Sequence, residues 1–301
     1  MSSADAKYTV GFIGIGMMGL PMSKRIASHG YPLYACDTSA AAMKEIGAVS
    51  GVKVSNDLAE IGRACDVVIL MLPDSNVVKK VLFGEGGGLA AHLKKGAIVI
   101  DMSSSNPSVT RELGPRLEAA GVGFIDAPVS GGVKRAVDGS LAIMAGGDHA
   151  LIERVKDLFL TMGKSIIETG MLGSGHAMKA LNNYVSAAGL LAACEALKVG
   201  ADFGIAPDKI VAVLNAGTGK NNSTENKLMQ FVVSGLFNSG FSLALMRKDI
   251  NIATDLAKSV GTETLLGEVL LKSWTDADAK MKSADHTEIF RMIEGAGGGR
   301  K

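Results

Sequence analysis

Residues 8–19, YTVGFIGIGMMG, constrain what this chain can fold into more than any other stretch. A short apolar run rich in aromatic and β-branched residues reads as a strand. It feeds directly into Gly14-Ile15-Gly16-Met17-Met18-Gly19. Glycines at that spacing suit a strand-to-helix turn. The first permits the tight turn, the second lets the backbone approach a pyrophosphate, and the third allows the helix to pack closely on the strand. The start of the following helix then offers oriented N–H groups to an anion. A lone Gly-x-Gly-x-x-Gly is weak, since glycine-rich turns arise for many reasons. With the strand before it and a second strand ending in Asp37, the segment reads as a dinucleotide site made by Gly14, Ile15, Gly16, Met17, Met18 and Gly19.

Asp37 bears on which dinucleotide. A carboxylate there accepts hydrogen bonds from the ribose hydroxyls of NAD and repels the extra phosphate of NADP. The next residues, Thr38-Ser39-Ala40-Ala41-Ala42, contain no Arg or Lys to hold that phosphate. The expected cofactor is NAD rather than NADP. A capping role for Asp37 is the alternative, for which Thr38 and Ser39 are equally suited.

The strand-then-helix pattern repeats through the first half. Apolar segments at 8–13, 32–36, 66–71, 97–100, 123–126, 141–145 and 165–168 alternate with helical patterns near 17–29, 39–47, 75–83, 107–120 and 149–162. This is the signature of a parallel sheet covered on both faces. After about residue 173 helical patterns take over, at 175–203, 207–216, 222–234, 242–259, 263–279 and 286–294. The expected architecture is an α/β, doubly wound sheet domain over 1–170 followed by an all-α domain over 171–301, with 175–203 as a long helix at their junction. A length of 301 residues accommodates two such domains. The closing GAGGGRK is too glycine-rich to hold order unaided.

Several classes of partner are not indicated. There are 31 basic and 30 acidic side chains with no long run of either sign, so neither nucleic acid nor an anionic membrane is an expected partner. No uninterrupted apolar run approaches the roughly 20 residues of a membrane span. Cys36, Cys65 and Cys194 have no metal-ligand spacing and read as small core residues. The first residues, MSSADAKYTV, show neither a secretory nor a mitochondrial address, and the expected location is cytoplasmic.

The stretch 173–183, GSGHAMKALNN, carries the most chemistry in the second half. On a helix Lys179 and Asn183 share one face, being four residues apart. A cation beside an amide can hold an alcohol or carbonyl oxygen and move a proton to or from it, although such pairs are also common on solvated surfaces. Position at the domain junction favours the functional reading, because small-molecule sites concentrate in clefts between domains. Asn182 points about a hundred degrees away and is left without a role, as is His176.

Other candidates follow strand ends. Asp126-Ala127-Pro128-Val129-Ser130-Gly131-Gly132 offers unobstructed backbone N–H groups and one hydroxyl, a set suited to a carboxylate, though the glycines can equally serve a turn. Leu72-Pro73 follows the strand at 66–71, and Asp101-Met102-Ser103-Ser104 follows the next one. Ser103 and Ser104 can reach a nicotinamide ribose or cap the helix near Pro107. In 242–259, Leu245, Lys248 and Ile252 fall along one side, so Lys248 interrupts an otherwise apolar surface. Arg247 is the simpler candidate for the solvent side, and pattern alone does not select Lys248.

With these residues laid out, the chain resembles the β-hydroxyacid dehydrogenase family, which includes 3-hydroxyisobutyrate, 2-(hydroxymethyl)glutarate and tartronate semialdehyde enzymes. The resemblance runs from about residue 9 to residue 293. It rests on GFIGIGMMGLPM at 11–22, DMSSSNPS at 101–108, DAPVSGGVKRAVDGSLAIMAGG at 126–147, GSGHAMKALNN at 173–183 and GFSLALMRKD at 240–249. It implies a Rossmann domain, a long interdomain helix, a helical C-terminal domain and a homodimer or homotetramer. It also implies that Lys179 is the catalytic lysine and that Ser130, Gly131 and Gly132 hold a small substrate's carboxylate. Asn183 would orient the substrate, and Lys248 would lie near both nicotinamide and substrate. Ser104 would contact the cofactor, with Leu72-Pro73 as the loop beneath it. The implied reaction is reversible NAD-dependent oxidation of a β-hydroxy acid; the alternative is reduction of short aldehydes. At 217–227, GTGKNNSTENK departs from the Ser-Gly-Arg of several members, placing Lys220 and Asn221 where relatives face the substrate.

Overall fold

The computed structural model describes residues 7–296. The residues of the glycine-rich C-terminus from 297 on, expected to fray, and the N-terminal residues 1–6 lie outside the described residues. The chain divides into two compact units, Met1–Lys179 and Ala180–Lys301.

The first unit alternates strand and helix: β1 (Val10–Ile13), α1 (Gly19–Ser28), β2 (Leu33–Cys36), α2 (Ala40–Gly47), β3 (Val52–Val54), α3 (Leu58–Ala64), β4 (Val67–Leu70), α4 (Ser75–Phe83), β5 (Ile98–Asp101), α5 (Pro107–Ala119) and β6 (Gly123–Asp126). There follow β7 (Val129–Ser130), α6 (Gly132–Asp138), β8 (Leu141–Gly146), α7 (His149–Arg154), α8 (Lys156–Met162) and β9 (Gly163–Gly170). Among the described residues these strands form one sheet in the order β3-β2-β1-β4-β5-β6-β8-β7, with β9 beside β8. β1 to β6 run parallel, whereas β8 pairs antiparallel with both β6 and β7.

β1, β4 and β5 are buried at every position, which is why they read as continuous apolar runs rather than alternating ones. The pleat divides their side chains between two layers. Phe12, Ile69 and Ile100 pack with Met22 and Ile26 of α1 and Phe159 of α8. Ile13, Val68, Leu70 and Val99 pack with Ile61 of α3, Leu82 of α4 and Leu113 of α5.

Several departures from the sequence-based expectation have local causes. β3 is a short, largely exposed edge strand, and α6 buries only Ala136, so neither carries an apolar pattern. The helix expected over 149–162 breaks at Val155 into α7 and α8. That over 17–29 starts at Gly19, the end of the glycine turn.

α9 (Ser174–Asp202) carries the chain from the first unit into the second. The second unit continues with α10 (Pro207–Ala216), α11 (Asn222–Asn226), a π-helical turn (Leu228–Val233), α12 (Leu243–Ser259), α13 (Gly267–Lys280), a 3₁₀ turn (His286–Glu288) and α14 (Ile289–Ala296). Its core joins Leu190, Cys194 and Leu197 of α9 to Ile210, Leu228, Met246, Ile250 and Trp274. By length and composition α9 is apolar enough to cross a membrane. Its Ala187, Leu190, Ala193, Cys194 and Leu197 are instead part of this core. The expected helix at 222–234 changes winding at Lys227, and Leu228 and Val232 beyond the break enter the core. Cys36, Cys65 and Cys194 are buried free thiols, and burial pushes Cys65 and Cys194 up to about 12.

Candidate functional site

The glycine turn is built as the spacing requires. Gly14 has φ +102°, and a Cβ there would lie 2.2 Å from the Met71 carbonyl oxygen. A Cβ at Gly19 would lie 1.9 Å from the Gly14 carbonyl oxygen, so the helix can start against the turn only with glycine at 19. Gly16 is exposed with nothing within 4 Å of such an atom, leaving its backbone open to approach. Met17 is exposed beside it, while Ile15 is buried and Met18 half-buried.

Asp37 is tied to this turn. Its Oδ2 accepts from Ile15 N at 2.6 Å and its Oδ1 from Ser39 N at 2.7 Å. Ser39, not Asp37, caps α2. A carboxylate has about four lone-pair positions, so two amide bonds leave capacity for ribose hydroxyls. The turn, the open Gly16 and Asp37 together fit a dinucleotide.

Ser103 joins the ends of β4 and β5, and Ser105 braces the end of β5. Leu72 N donates to Ser103 Oγ at 2.9 Å, and Ser105 Oγ donates to Asp101 Oδ2 at 2.7 Å. Ser103 and Ser105 are buried in these roles, and Ser104 between them is half-buried. Asn106 caps α5, so neither Ser103 nor Ser104 is used as a cap. Pro73 is exposed just past Leu72.

Ser130 ends β7, and Gly131 and Gly132 follow with φ +137° and +68°. Both glycines are exposed. In the same unit Asp126, at the end of β6, accepts from Gly173 N and His176 N, each at 2.7 Å, and so caps α9. His176 is buried, with Nδ1 2.8 Å from Thr110 Oγ1 and Nε2 3.7 Å from Asp101 Oδ2. Burial raises the Asp126 pKa above the ordinary carboxylate range, against the pull of His176 and of the two backbone N–H groups. Lys179 is half-buried, one turn beyond His176.

In the second unit Asn183, four residues further along α9, is buried and donates from Nδ2 to Asp249 Oδ2 at 2.5 Å. Asn182 Nδ2 donates to Asn183 Oδ1 at 3.1 Å, so the amide is oriented from both ends. Asp249 is buried on α12 beside Lys248. The buried stripe of α12 is Leu243, Met246, Ile250 and Ala253, with Leu245 exposed, so half-buried Lys248 lies on the shoulder of the apolar face. Arg247, expected toward solvent, pairs with Asp278 at 2.8 Å. In the departing loop Lys220 pairs with Glu225 at 3.0 Å, and Asn221 forms a capping box with Thr224 at the start of α11.

Sequence reasoning quoted Asp126, Asp101 and Asp249 within motifs but gave them no role, and it missed the anchoring of His176. A signal existed for the first two: each is an acid ending a wholly apolar strand, and the parallel register sets them side by side. Among the described residues His149, Glu153 and Glu168 bring possible metal ligands within 4.8 Å of one another, all on the exposed surface.

Comparison with known proteins gives a consistent result. A family model described as the NAD binding domain of 6-phosphogluconate dehydrogenase matches residues 9–173. One described as NAD-binding of NADP-dependent 3-hydroxyisobutyrate dehydrogenase matches residues 173–293. The mitochondrial 3-hydroxyisobutyrate dehydrogenase of Mus musculus is 36% identical over 298 residues, covering 97% of this chain and 88% of its own. The 2-(hydroxymethyl)glutarate dehydrogenase of Eubacterium barkeri is 33% identical over 254 residues, 84% of each chain. A solved structure of Mycobacterium tuberculosis 3-hydroxyisobutyrate dehydrogenase with L-serine matches with TM-score 0.88 at 29% identity, covering 95% of this chain and 99% of that one.

Proposed function

The chain belongs to the 3-hydroxyisobutyrate dehydrogenase family, and from that premise we propose that it catalyses reversible, NAD-dependent oxidation of a β-hydroxy acid to its semialdehyde or keto acid, with Lys179 as general acid and base. One observation carries the reading. Lys179 is half-buried on α9 between a turn anchored by Asp126 and a turn where Asn183 is oriented by Asp249.

When bound, the nicotinamide supplies the hydride acceptor. The residues of this chain supply the rest. Ser130 and the backbone N–H groups of Gly131 and Gly132 receive the substrate carboxylate, an anion suited to successive N–H donors. Asn183 presents its second N–H to the substrate oxygen, its first being taken by Asp249. By family resemblance, Lys248 would contribute positive charge toward substrate and nicotinamide, and Ser104 and Leu72-Pro73 would contact the cofactor. In oxidation the neutral Lys179 amine accepts the hydroxyl proton as the hydride leaves its carbon. In reduction the ammonium stabilises the developing alkoxide and returns the proton. Lys179→Ala is expected to lose turnover on the order of 1,000-fold, within the usual range for a proton-transfer group, while still binding NADH. Retained turnover on a good substrate overturns the assignment.

The preference for NAD rests on Asp37 and on the absence of basic residues over 38–42. Initial rates with NADH and NADPH at matched concentrations test it. A panel of β-hydroxy acids, including 3-hydroxyisobutyrate, hydroxymethylglutarate, glycerate and threonate, identifies the substrate.

A further inference from the structure

The first turn of α9 is held more elaborately than a helix start requires. Gly146 and Gly175 let it press on the ends of β6 and β8. A Cβ at Gly175 would lie 2.3 Å from the Met144 carbonyl oxygen, and one at Gly146 would lie 2.6 Å from Asp126 Oδ1. Into that close contact Asp126 extends both oxygens, Oδ1 to Gly173 N and Oδ2 to His176 N. A serine or asparagine cap satisfies such N–H groups with one neutral oxygen and no buried charge. Here a wholly buried carboxylate is used, with the buried Asp101 carboxylate in register on the next strand. Such an arrangement is costly unless other groups offset it.

His176 is the offsetting group and a second tether. Its Nδ1 is 2.8 Å from Thr110 Oγ1 and 3.7 Å from Asp126 Oδ2, and its Nε2 is 3.7 Å from Asp101 Oδ2. The turn is therefore fastened through its backbone to β6 and through a side chain to α5, with the imidazole Nε2 facing Asp101 of β5 at 3.7 Å. Two oxygens of one carboxylate bonded to N–H groups three residues apart fix the rotation of a helix as well as its axial position. Lys179 follows His176 by three residues, so rotation of this turn swings the amine. About 10° of rotation moves an atom about 6 Å from the axis by about 1 Å, and a displacement of that size at a reacting centre costs on the order of 100-fold in rate.

We propose that Asp126, with His176 as its second tether, is a positioning residue that sets the rotation of α9 and thereby places the Lys179 amine for proton transfer. The proposal rests on Lys179 being the acid and base described above. Asp126 is wholly buried and acts through the helix rather than on the reacting atoms.

Asp126→Asn keeps the side-chain size and one acceptor but turns a donor toward the other N–H. The full chain is assayed for kcat, for KM of the β-hydroxy acid it oxidises, and for NADH affinity, in wild-type and Lys179→Ala backgrounds. In the wild-type background kcat is expected to fall about 10- to 100-fold, with KM and NADH affinity within about threefold. In the Lys179→Ala background the same change should cost less than about twofold, because a residue acting only through Lys179 has nothing left to place. His176→Gln, a milder change, should show the same non-additivity and serves if Asp126→Asn does not fold. An equal loss in both backgrounds, or a loss of NADH affinity in place of kcat, overturns the proposal as a merely structural effect. If Lys179→Ala is inactive while Asp126→Asn and His176→Gln are unimpaired, the positioning role alone falls. If Lys179→Ala retains turnover, the acid–base reading and this proposal fall together.

Discussion

Asp37 joins two segments that the chain brings together only by folding, the end of β2 and the glycine turn. Hydrogen bonds to a charged acceptor contribute about 1.5–3 kcal/mol each, so removing the carboxylate loosens the turn as well as deleting the proposed ribose contact. Asp37→Ala is expected to raise KM for NAD about tenfold and to shrink the preference for NAD over NADP, measured as a ratio of kcat/KM values. An unchanged ratio would show that the carboxylate does not read the ribose. Asp249 has a comparable duty toward Asn183. Asp249→Ala is expected to lower kcat/KM about 10- to 100-fold by releasing the amide, at a cost on the order of a buried hydrogen-bond partner to stability. The position of the first of these residues was legible, because an acid closing the second apolar strand stands out in the sequence. Asp249 was not, since in sequence it is one acid beside two basic residues in an amphipathic helix, and only the fold shows that it faces Asn183.

Elements were legible where burial imposes a pattern on the sequence. β1, β4 and β5 are buried on both faces and announce themselves as apolar runs. β3 is an exposed edge and α6 a mostly exposed short helix, so burial selects too few of their residues to leave a period. The change of winding at Lys227 was hidden for another reason: Asn222–Asn226 and Leu228–Val233 are both helical, and no proline or glycine lies between them. The glycines of the nucleotide turn are the opposite case, since their spacing encodes close contacts. Gly19→Ala would force a Cβ against the Gly14 carbonyl oxygen, and a backbone atom cannot yield as a side chain does. The expected cost is about 2–4 kcal/mol, seen as a lowered thermal midpoint together with lost NADH binding. A variant as stable as wild type would mean that α1 can start elsewhere.

At the scale of the whole molecule, pH acts on stability through a buried amine. Lys227 in the second unit donates to Ser186 Oγ at 3.2 Å, and burial brings its pKa down from 10.5 to about 8, against the pull of Asp285. Below about pH 8 folded and unfolded chains both carry this proton, and the desolvation cost is constant. Between about 8 and 10.5 the unfolded chain holds more protons, so stability rises with pH across that window. Lys227→Met, which keeps the apolar stem, is expected to stabilise the protein by about 1–3 kcal/mol at pH 7, with the advantage shrinking toward pH 10. Denaturant melts at the two pH values check both statements; a destabilised variant at pH 7 would show that the amine contributes more than it costs.

In the proposed function the chemistry falls on α9, where Lys179 follows a first turn held by Asp126 and precedes Asn183, held by Asp249. The most direct test of the account is NAD reduction by wild type and Lys179→Ala over the panel of β-hydroxy acids, with NADH binding measured on both. The account predicts that at least one β-hydroxy acid drives NAD reduction by the wild type, and that Lys179→Ala loses that turnover on the order of 1,000-fold with NADH affinity intact. Turnover by Lys179→Ala at the wild-type rate would contradict it.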